Sequence, residues 1–441
     1  MVHTQPRGRL RLQMSPLIQA LVALAMFSAC SEPRAGSLAA VPADTEAQEG
    51  SDAADLPDLD TAADAPSPPV TLRVATFNTS LFRGSAGQLA RDLAGGNDAQ
   101  ARAVAETLQR VRPDIVLLNE FDWDAEGLAA RTFAEDYLAV SQNGAEPLAF
   151  GYRYVPTTNT GIHSGIDLNR DGVIDLNPGS PDYGNDALGY GLFPGQYGMV
   201  VFSRYPIALG KVRTFQTLRW AELPQNLQPV DGYGAEAVAL MRLSSKNHAD
   251  LPIEVNRRLL HLLVSHPTPP SFDGSEDRNG RRNHDEIRFW SDYLTGGDEV
   301  AGWLRDDNDL RGGLAPDAPF VILGDLNSDP VDGDSRNEAI VSLLAHPRLQ
   351  DPRPESDGGA FAAGADGRAN ATHRGDPRQD TADFSDGAVG NLRVDYALPS
   401  ANLTLRDSGV FWPAPGAPSA ELAGVSDHHL VWVDVTMGAE E

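Results

Sequence analysis

The apolar residues of this chain come in short runs that end in an acid, an amide or a histidine. "VTLRVATFN" ends at Asn78, "DIVLLNEFD" turns polar at Glu120, "RRLLHLLVSH" ends at His266, and "FVILGDLN" carries Asp325 and Asn327. Side chains alternate along a strand, so residues two apart share a face. One face of the first run then holds Leu72, Val74, Thr76 and Asn78. One face of the second holds Val116, Leu118 and Glu120, and one face of the fourth holds Val321, Leu323, Asp325 and Asn327. Strands written this way bury their apolar part in a core and deliver a polar end to its rim. "GMVVFSRYPI", "AEAVALMRL", "NLRVDYALPS" and "HLVWVDV" are further strand candidates. Asp395 lies within "RVDY", and Asp427 and His428 immediately precede the last run.

Helical spacing separates some of these runs. In "DAQARAVAETLQRVRPD" the residues Ala103, Val104, Leu108 and Val111 are apolar, and Pro113 marks the stop. Further helices are expected over residues 281–294 and 334–344. Strands and helices alternate irregularly, with several strands in succession. That pattern predicts one large α/β domain with mixed sheets over residues 70–438. With 41% hydrophobic residues in 441, the chain can fill such a core. Its 42 glycines and 32 prolines supply the many turns between short elements.

The N-terminal segment reads differently. Arg7, Arg9 and Arg11 precede the short apolar run "PLIQALVALAMFSA", which is too short to span a bilayer. Cys30, the chain's single cysteine, follows directly, so no intramolecular disulfide can form. Residues 1–30 are expected to be a signal peptide ending in a lipobox, "FSAC", with Cys30 as the lipid attachment point and an exported, membrane-anchored protein as the result. Residues 31–69 carry nine acids against one base, Arg34. They have the composition of a disordered, self-repelling tether.

Formal charge is −27. An acidic surface repels polyanions, which argues against tight binding of duplex nucleic acid. It leaves open an enzyme that handles small phosphates with a bound cation. Oxygen donors from Glu, Asp and Asn suit Mg²⁺, Mn²⁺ or Ca²⁺. The chain has no cysteine set, no His-Glu-x-x-His and no Walker-type loop.

Taken singly, a strand-terminal Asp or Asn is usually a turn former, and a lone His is usually surface or satisfied core. Their order along the chain is more informative. "TFN" at 76–78, "LLNE" at 117–120, "ILGDLNSDP" at 322–330, "RVDYALPS" at 393–400 and "GVSDHHLVWV" at 424–433 resemble the ordered motifs of the endonuclease/exonuclease/phosphatase superfamily. The resemblance implies a four-layer α/β sandwich, two packed mixed β-sheets flanked by helices. It also implies a metal-dependent phosphoesterase acting on a phosphate-ester substrate with Mg²⁺ or Mn²⁺. By the same resemblance Glu120 is the metal-binding glutamate, with Asn78 and Asp427 as further metal ligands. Asp325 orients or deprotonates the attacking water. Asn327 fixes that aspartate and contacts phosphate. His266 donates to a phosphate oxygen, His428 is the closing catalytic histidine, and Asp395 orients it. His261 is a local competitor for the role of His266, and His429 is an additional histidine read as packing or surface. An extracellular nuclease, or an inactive surface-binding lipoprotein of the same fold, are the alternatives. A monomer is expected.

Three segments stand outside this set. Asp167, Asn169, Asp171, Gly172 and Asp175 follow the start of an EF-hand loop, but its twelfth position is Pro178. The segment reads as a free-standing Ca²⁺ loop closed by Asp182 or a backbone carbonyl, against a solvated acidic turn. Arg278, Arg281 and Arg282 form the densest basic patch. They read equally as a greeting surface for an anionic substrate or a solvated helix start. Residues 355–390 are expected to be a long Gly- and Asp-rich loop at the substrate entrance.

Overall fold

In a computed structural model of the chain, residues 68–438 are described. The expected signal peptide, Cys30 and all but the last two residues of the acidic tether lie outside them. Among the described residues the strands are β1 (Val70–Asn78), β2 (Ile115–Asn119), β3 (Tyr152–Tyr154), β4 (Met199–Ser203), β5 (Arg213–Thr214), β6 (His248–Val255), β7 (Arg258–Ser265), β8 (Phe320–Asp325), β9 (Ala382–Asp383), β10 (Asn391–Leu392), β11 (Asp395–Pro399), β12 (Thr404–Phe411) and β13 (Leu430–Met437).

They build a six-stranded sheet, β12-β13-β1-β2-β4-β3, a five-stranded sheet, β11-β8-β7-β6-β5, and the small pair β10-β9. Each large sheet has one parallel pair, β1 with β2 and β7 with β8. Parallel neighbours need a crossover. The helix Ala99–Val111 supplies one and the helix Arg278–Thr295 the other. The first starts where the Asp98 side chain accepts the Ala101 N–H at 2.8 Å. It ends where Arg112 turns left-handed, just before Pro113.

Alternation along the strands sorts the core into layers. Leu72 and Val74 of β1, with Ile115 and Leu117 of β2, face Leu262 and Val264 of β7 and Val321 and Leu323 of β8 between the sheets. The opposite faces carry the helices. Phe77, Val116 and Leu118 pack with Val104 and Leu108 on one side. Phe320 and Ile322 pack with Ile287, Trp290 and Ile340 on the other. The result is the four-layer α/β sandwich. Replacing Leu323, fully buried between the sheets, with Ala should cost about 2–5 kcal/mol in urea unfolding. A loss under about 1 kcal/mol would contradict this packing.

Three local expectations are corrected. "AEAVALMRL" is not a strand: residues Ala235–Leu240 form a short helix. Its alanines favour helix, and Ala237 and Met241, four apart, pack on Leu168 and Leu188. The segment 355–390 is not one open loop. It holds the helix Asp357–Asp366, N-capped by Ser356, whose hydroxyl accepts the Gly359 N–H at 3.1 Å. Gly358 passes so close to Trp412 that a Cβ would lie 2.2 Å from its carbonyl oxygen, which is why glycine stands there. The helix expected over residues 334–344 is confined to Glu338–Leu344.

The basic patch is used up inside the fold. Arg282 is buried and donates to the carbonyls of Leu243, Leu188 and Arg242. Arg281 donates to the Glu276 and Leu227 carbonyls, and Arg278 pairs with Glu276. Among the described residues no helix is long and apolar enough to cross a membrane.

Candidate active site

Topology explains why the polar strand ends meet. β1 and β2 run parallel, so Asn78 and Glu120 leave the first sheet at one edge. β7 and β8 run parallel in the second sheet, so His266 and Asp325 leave together. β11 is antiparallel to β8 and sets Asp395 opposite Asp325. β13 is antiparallel to β1, which brings the residues before Leu430, among them His428, back to the same end. At this rim the sheets are stitched together, because the Asp325 N–H donates to Asn119 Oδ1 at 3.4 Å.

Asp325 is the centre of the cluster. Its Oδ2 accepts from Asn78 Nδ2 at 3.0 Å and lies 3.5 Å from His266 Nε2 and 3.7 Å from His428 Nε2. Its Oδ1 accepts the Asn327 N–H at 2.9 Å. His428 Nδ1 donates to Asp395 Oδ2 at 2.8 Å. The same oxygen accepts the Thr381 hydroxyl at 2.9 Å. Asp325, Asp395 and His428 offer atoms within 4.8 Å of one another, and all three are buried. A chain of carboxylate, imidazole and carboxylate therefore runs from the interior to Asp325.

Charge divides the two histidines. Burial opposes the imidazolium of His428, but Asp395 and Asp325 outweigh it and raise its pKa to about 10. His266 has no such support. Burial, the Lys246 ammonium and His428 together hold it well below the ordinary histidine range. His428 is thus the charged donor and His266 a neutral one. Burial pushes Asp325 up to about 6, against the pull of His428. Burial also raises Glu120, against His428 and the Asn78 amide.

Two residues reach the rim by a route that alternation does not describe. Glu120 has φ +56° and Asn327 φ +53°, both in the left-handed region. Such backbone costs on the order of 1–3 kcal/mol and collects at functional sites. Val116 and Leu118 face the helix layer, so a straight strand would send Glu120 there. The left-handed turn redirects it towards Asp325 and Lys246. Asn327 likewise leaves the face of Val321 and Leu323. Its side-chain amide donates to the Pro267 carbonyl at 3.1 Å, and its backbone N–H is what braces Asp325.

Asp427 sits exposed at the outer lip, where its Oδ1 accepts from the Ser80 hydroxyl at 3.2 Å. His261 pairs with Asp250 at 2.7 Å, away from the cluster. His429 stacks on Trp412 with ring centroids 3.7 Å apart, a packing role. The turn 167–175 makes its own separate contacts. Two participants were absent from the strand-end pattern. Thr381 fixes Asp395, as above. Lys246, only 6% exposed just before β6, acts electrostatically on Glu120, Asp325 and His266.

The structure is thus a double-sheet sandwich whose strand ends converge on a buried Asp–His–Asp cluster. Residues 75–428 match the Endonuclease/Exonuclease/phosphatase family, and the chain belongs to that family. Members of the superfamily are hydrolases of phosphoester bonds. Similar solved structures include an endonuclease/exonuclease/phosphatase from Beutenbergia cavernae, with 20% identity, 83% of this chain and 72% of that chain covered, and a TM-score of 0.47. Sphingomyelinase C from Streptomyces griseocarneus has 16% identity, with 83% and 99% covered and a TM-score of 0.39. The human Nocturnin catalytic domain has 14% identity, with 84% and 93% covered and a TM-score of 0.41. No curated protein matches the chain.

Proposed function

We propose that this protein is a divalent-metal-dependent phosphoesterase that hydrolyses phosphodiester or phosphomonoester bonds by in-line attack of water. The observation that carries the reading is Asp325, a buried carboxylate of raised pKa held between Asn78, His266 and His428. A general base works best when its pKa approaches the working pH. Asp325 orients the water and takes its proton. His428, kept charged by Asp395, gives charge-assisted hydrogen bonds to the phosphoryl oxygens. His266 adds a neutral N–H. The Asn327 backbone and the Asn78 amide hold Asp325 in line.

The residues fit a hard cation. Glu120 is a carboxylate raised by burial, without an Arg or Lys ion pair among the described residues, and a cation beside it reverses that penalty. Glu120, Asn78 and Asp427 offer oxygen donors only, which suits Mg²⁺ or Mn²⁺. When bound, such an ion supplies neutralisation of phosphate charge and stabilisation of the leaving oxygen. The chain's charge of −27 favours small phosphoesters over duplex nucleic acid.

A panel tests this reading: bis(p-nitrophenyl) phosphate, p-nitrophenyl phosphate, phospholipid vesicles and plasmid DNA, each with Mg²⁺, Mn²⁺ or EDTA. Metal-dependent release from at least one small ester is expected. Cleavage of plasmid alone would favour the nuclease reading, and no turnover on any member would favour the inactive surface-binding reading.

Lys246 gives a sharper expectation. Lys246 is buried and acts electrostatically on Glu120 and Asp325, the groups this reading places around the substrate phosphate. Lys246→Met should raise KM for the small ester about 10–100-fold, the worth of a hydrogen bond to a charged group, with a smaller change in kcat. A lowered Tm with KM unchanged would show that Lys246 only supports the fold.

A further inference from the structure

The crossover helix Arg278–Thr295 buries polar residues on its inner side. Asn283 and Glu286, three apart and so neighbours on one face, are both fully buried. A buried carboxylate is costly unless it is well bonded. Glu286 makes its bonds at the rim of the candidate site. Its Oε1 accepts the Ser245 N–H at 2.6 Å, and its Oε2 accepts the Thr268 N–H at 2.6 Å. Ser245 directly precedes Lys246, and Thr268 follows His266 by two residues.

Strand register explains why a carboxylate stands there. β6 and β7 pair antiparallel as far as His248 opposite Ser265. Continued at the same register, Lys246 would face Pro267 and Ser245 would face Thr268. Pro267 has no N–H, which suits it to the end of a ladder. Beyond that end the Ser245 and Thr268 N–H groups both donate to Glu286, so its carboxylate bridges the two chains where their own pairing stops. The Ser245 hydroxyl adds a tie to the His266 carbonyl at 3.4 Å, and His248 Nε2 donates to the Glu286 carbonyl at 2.9 Å. Asn283 extends the clamp to the third strand end. Its side-chain amide donates to the Thr268 carbonyl at 2.8 Å and to the Leu326 carbonyl at 2.9 Å, between Asp325 and Asn327.

The clamp flanks two donors. Lys246 is buried, and its ammonium makes no hydrogen bond or ion pair among the described residues. Of the carboxylates that support its charge, Glu286 acts most strongly, ahead of Glu120 and Asp325. His266 is likewise buried, with Nε2 3.5 Å from Asp325 Oδ2. A buried ammonium without a partner is available to an arriving anion. We propose that Glu286 is a positioning residue: by bridging the ends of β6 and β7, its carboxylate holds Lys246 and His266 together as donors to one phosphoryl group. The inference rests on the phosphoesterase reading for its choice of ligand. Glu286 itself, wholly inside the fold, touches no substrate.

The test is calorimetric titration of inorganic phosphate into the purified full chain with MgCl₂ present. The wild type should bind phosphate. Glu286→Gln keeps the side chain's shape but turns an amide N–H₂ towards a backbone N–H, and should weaken binding at least about 10-fold. Charge alone would act the other way, since losing an anion near the site favours phosphate. In a Lys246→Met background the same substitution should weaken binding less than about 3-fold, because the donor it positions is gone. A purely structural role would lower Tm and act alike in both backgrounds. NMR of the wild type adds a check that needs no variant: the Ser245 and Thr268 amide protons should lie far downfield, as short hydrogen bonds to a carboxylate require. Ordinary shifts at both amides, an unchanged phosphate Kd in Glu286→Gln, the same fold-loss in both backgrounds, or no phosphate binding by the wild type would each overturn the inference. Phosphate binding as expected in a wild type without turnover would refute the phosphoesterase reading alone and leave the positioning role standing.

Discussion

Asp325→Asn should lower turnover of a small phosphoester about 10²–10⁴-fold while leaving the Tm near that of the wild type. The amide is nearly isosteric and keeps a polar group against Asn78 and the Asn327 N–H. What it removes is the proposed base. It also removes one of the two carboxylates that hold the His428 proton, so the imidazole pKa should fall from about 10. Direct titration of that ring by NMR would report the fall. His428→Ala should lose activity on the same scale, with Asp395 left buried beside Thr381. Wild-type turnover in either variant would remove both residues from the chemistry.

Chelation should have an equally large effect. EDTA treatment is expected to reduce hydrolysis to background, with recovery on adding Mg²⁺ or Mn²⁺. The pH dependence of metal binding has a defined sign. Burial raises Glu120, so below its raised pKa the proton competes with the cation for the carboxylate. Metal affinity measured by titration calorimetry should therefore tighten as pH rises from the acidic into the neutral range, with proton release. A constant affinity over that range would show that Glu120 is not a ligand.

The α/β class was legible in the sequence because the strands carry apolar faces that had to be buried in a core, Leu72 and Val74 or Val321 and Leu323 among them. The candidate site was read from a different signal, the order of motifs from Asn78 to His428. Alternation alone misplaces Glu120 and Asn327, because both escape it through left-handed backbone that no local pattern announces. Other features were illegible because they depend on distant partners. Residues 235–240 are a short apolar run that reads as a strand, yet they form a helix that packs on the small cluster around Leu168 and Leu188. Arg282 looked available to a substrate until the carbonyls of Leu188, Arg242 and Leu243 closed around it. One signal for Lys246 was present. Only two of the 35 basic residues are lysines, and this one stands at the head of a strand.

The central claim is that water, positioned at Asp325, attacks phosphorus. Hydrolysis of bis(p-nitrophenyl) phosphate in H₂¹⁸O, followed by mass spectrometry of both products, measures this directly. The expected result is one ¹⁸O in the phosphate product and none in the nitrophenol, with the signal lost in Asp325→Asn. Label in the nitrophenol, or the same labelled yield from Asp325→Asn as from the wild type, would contradict it.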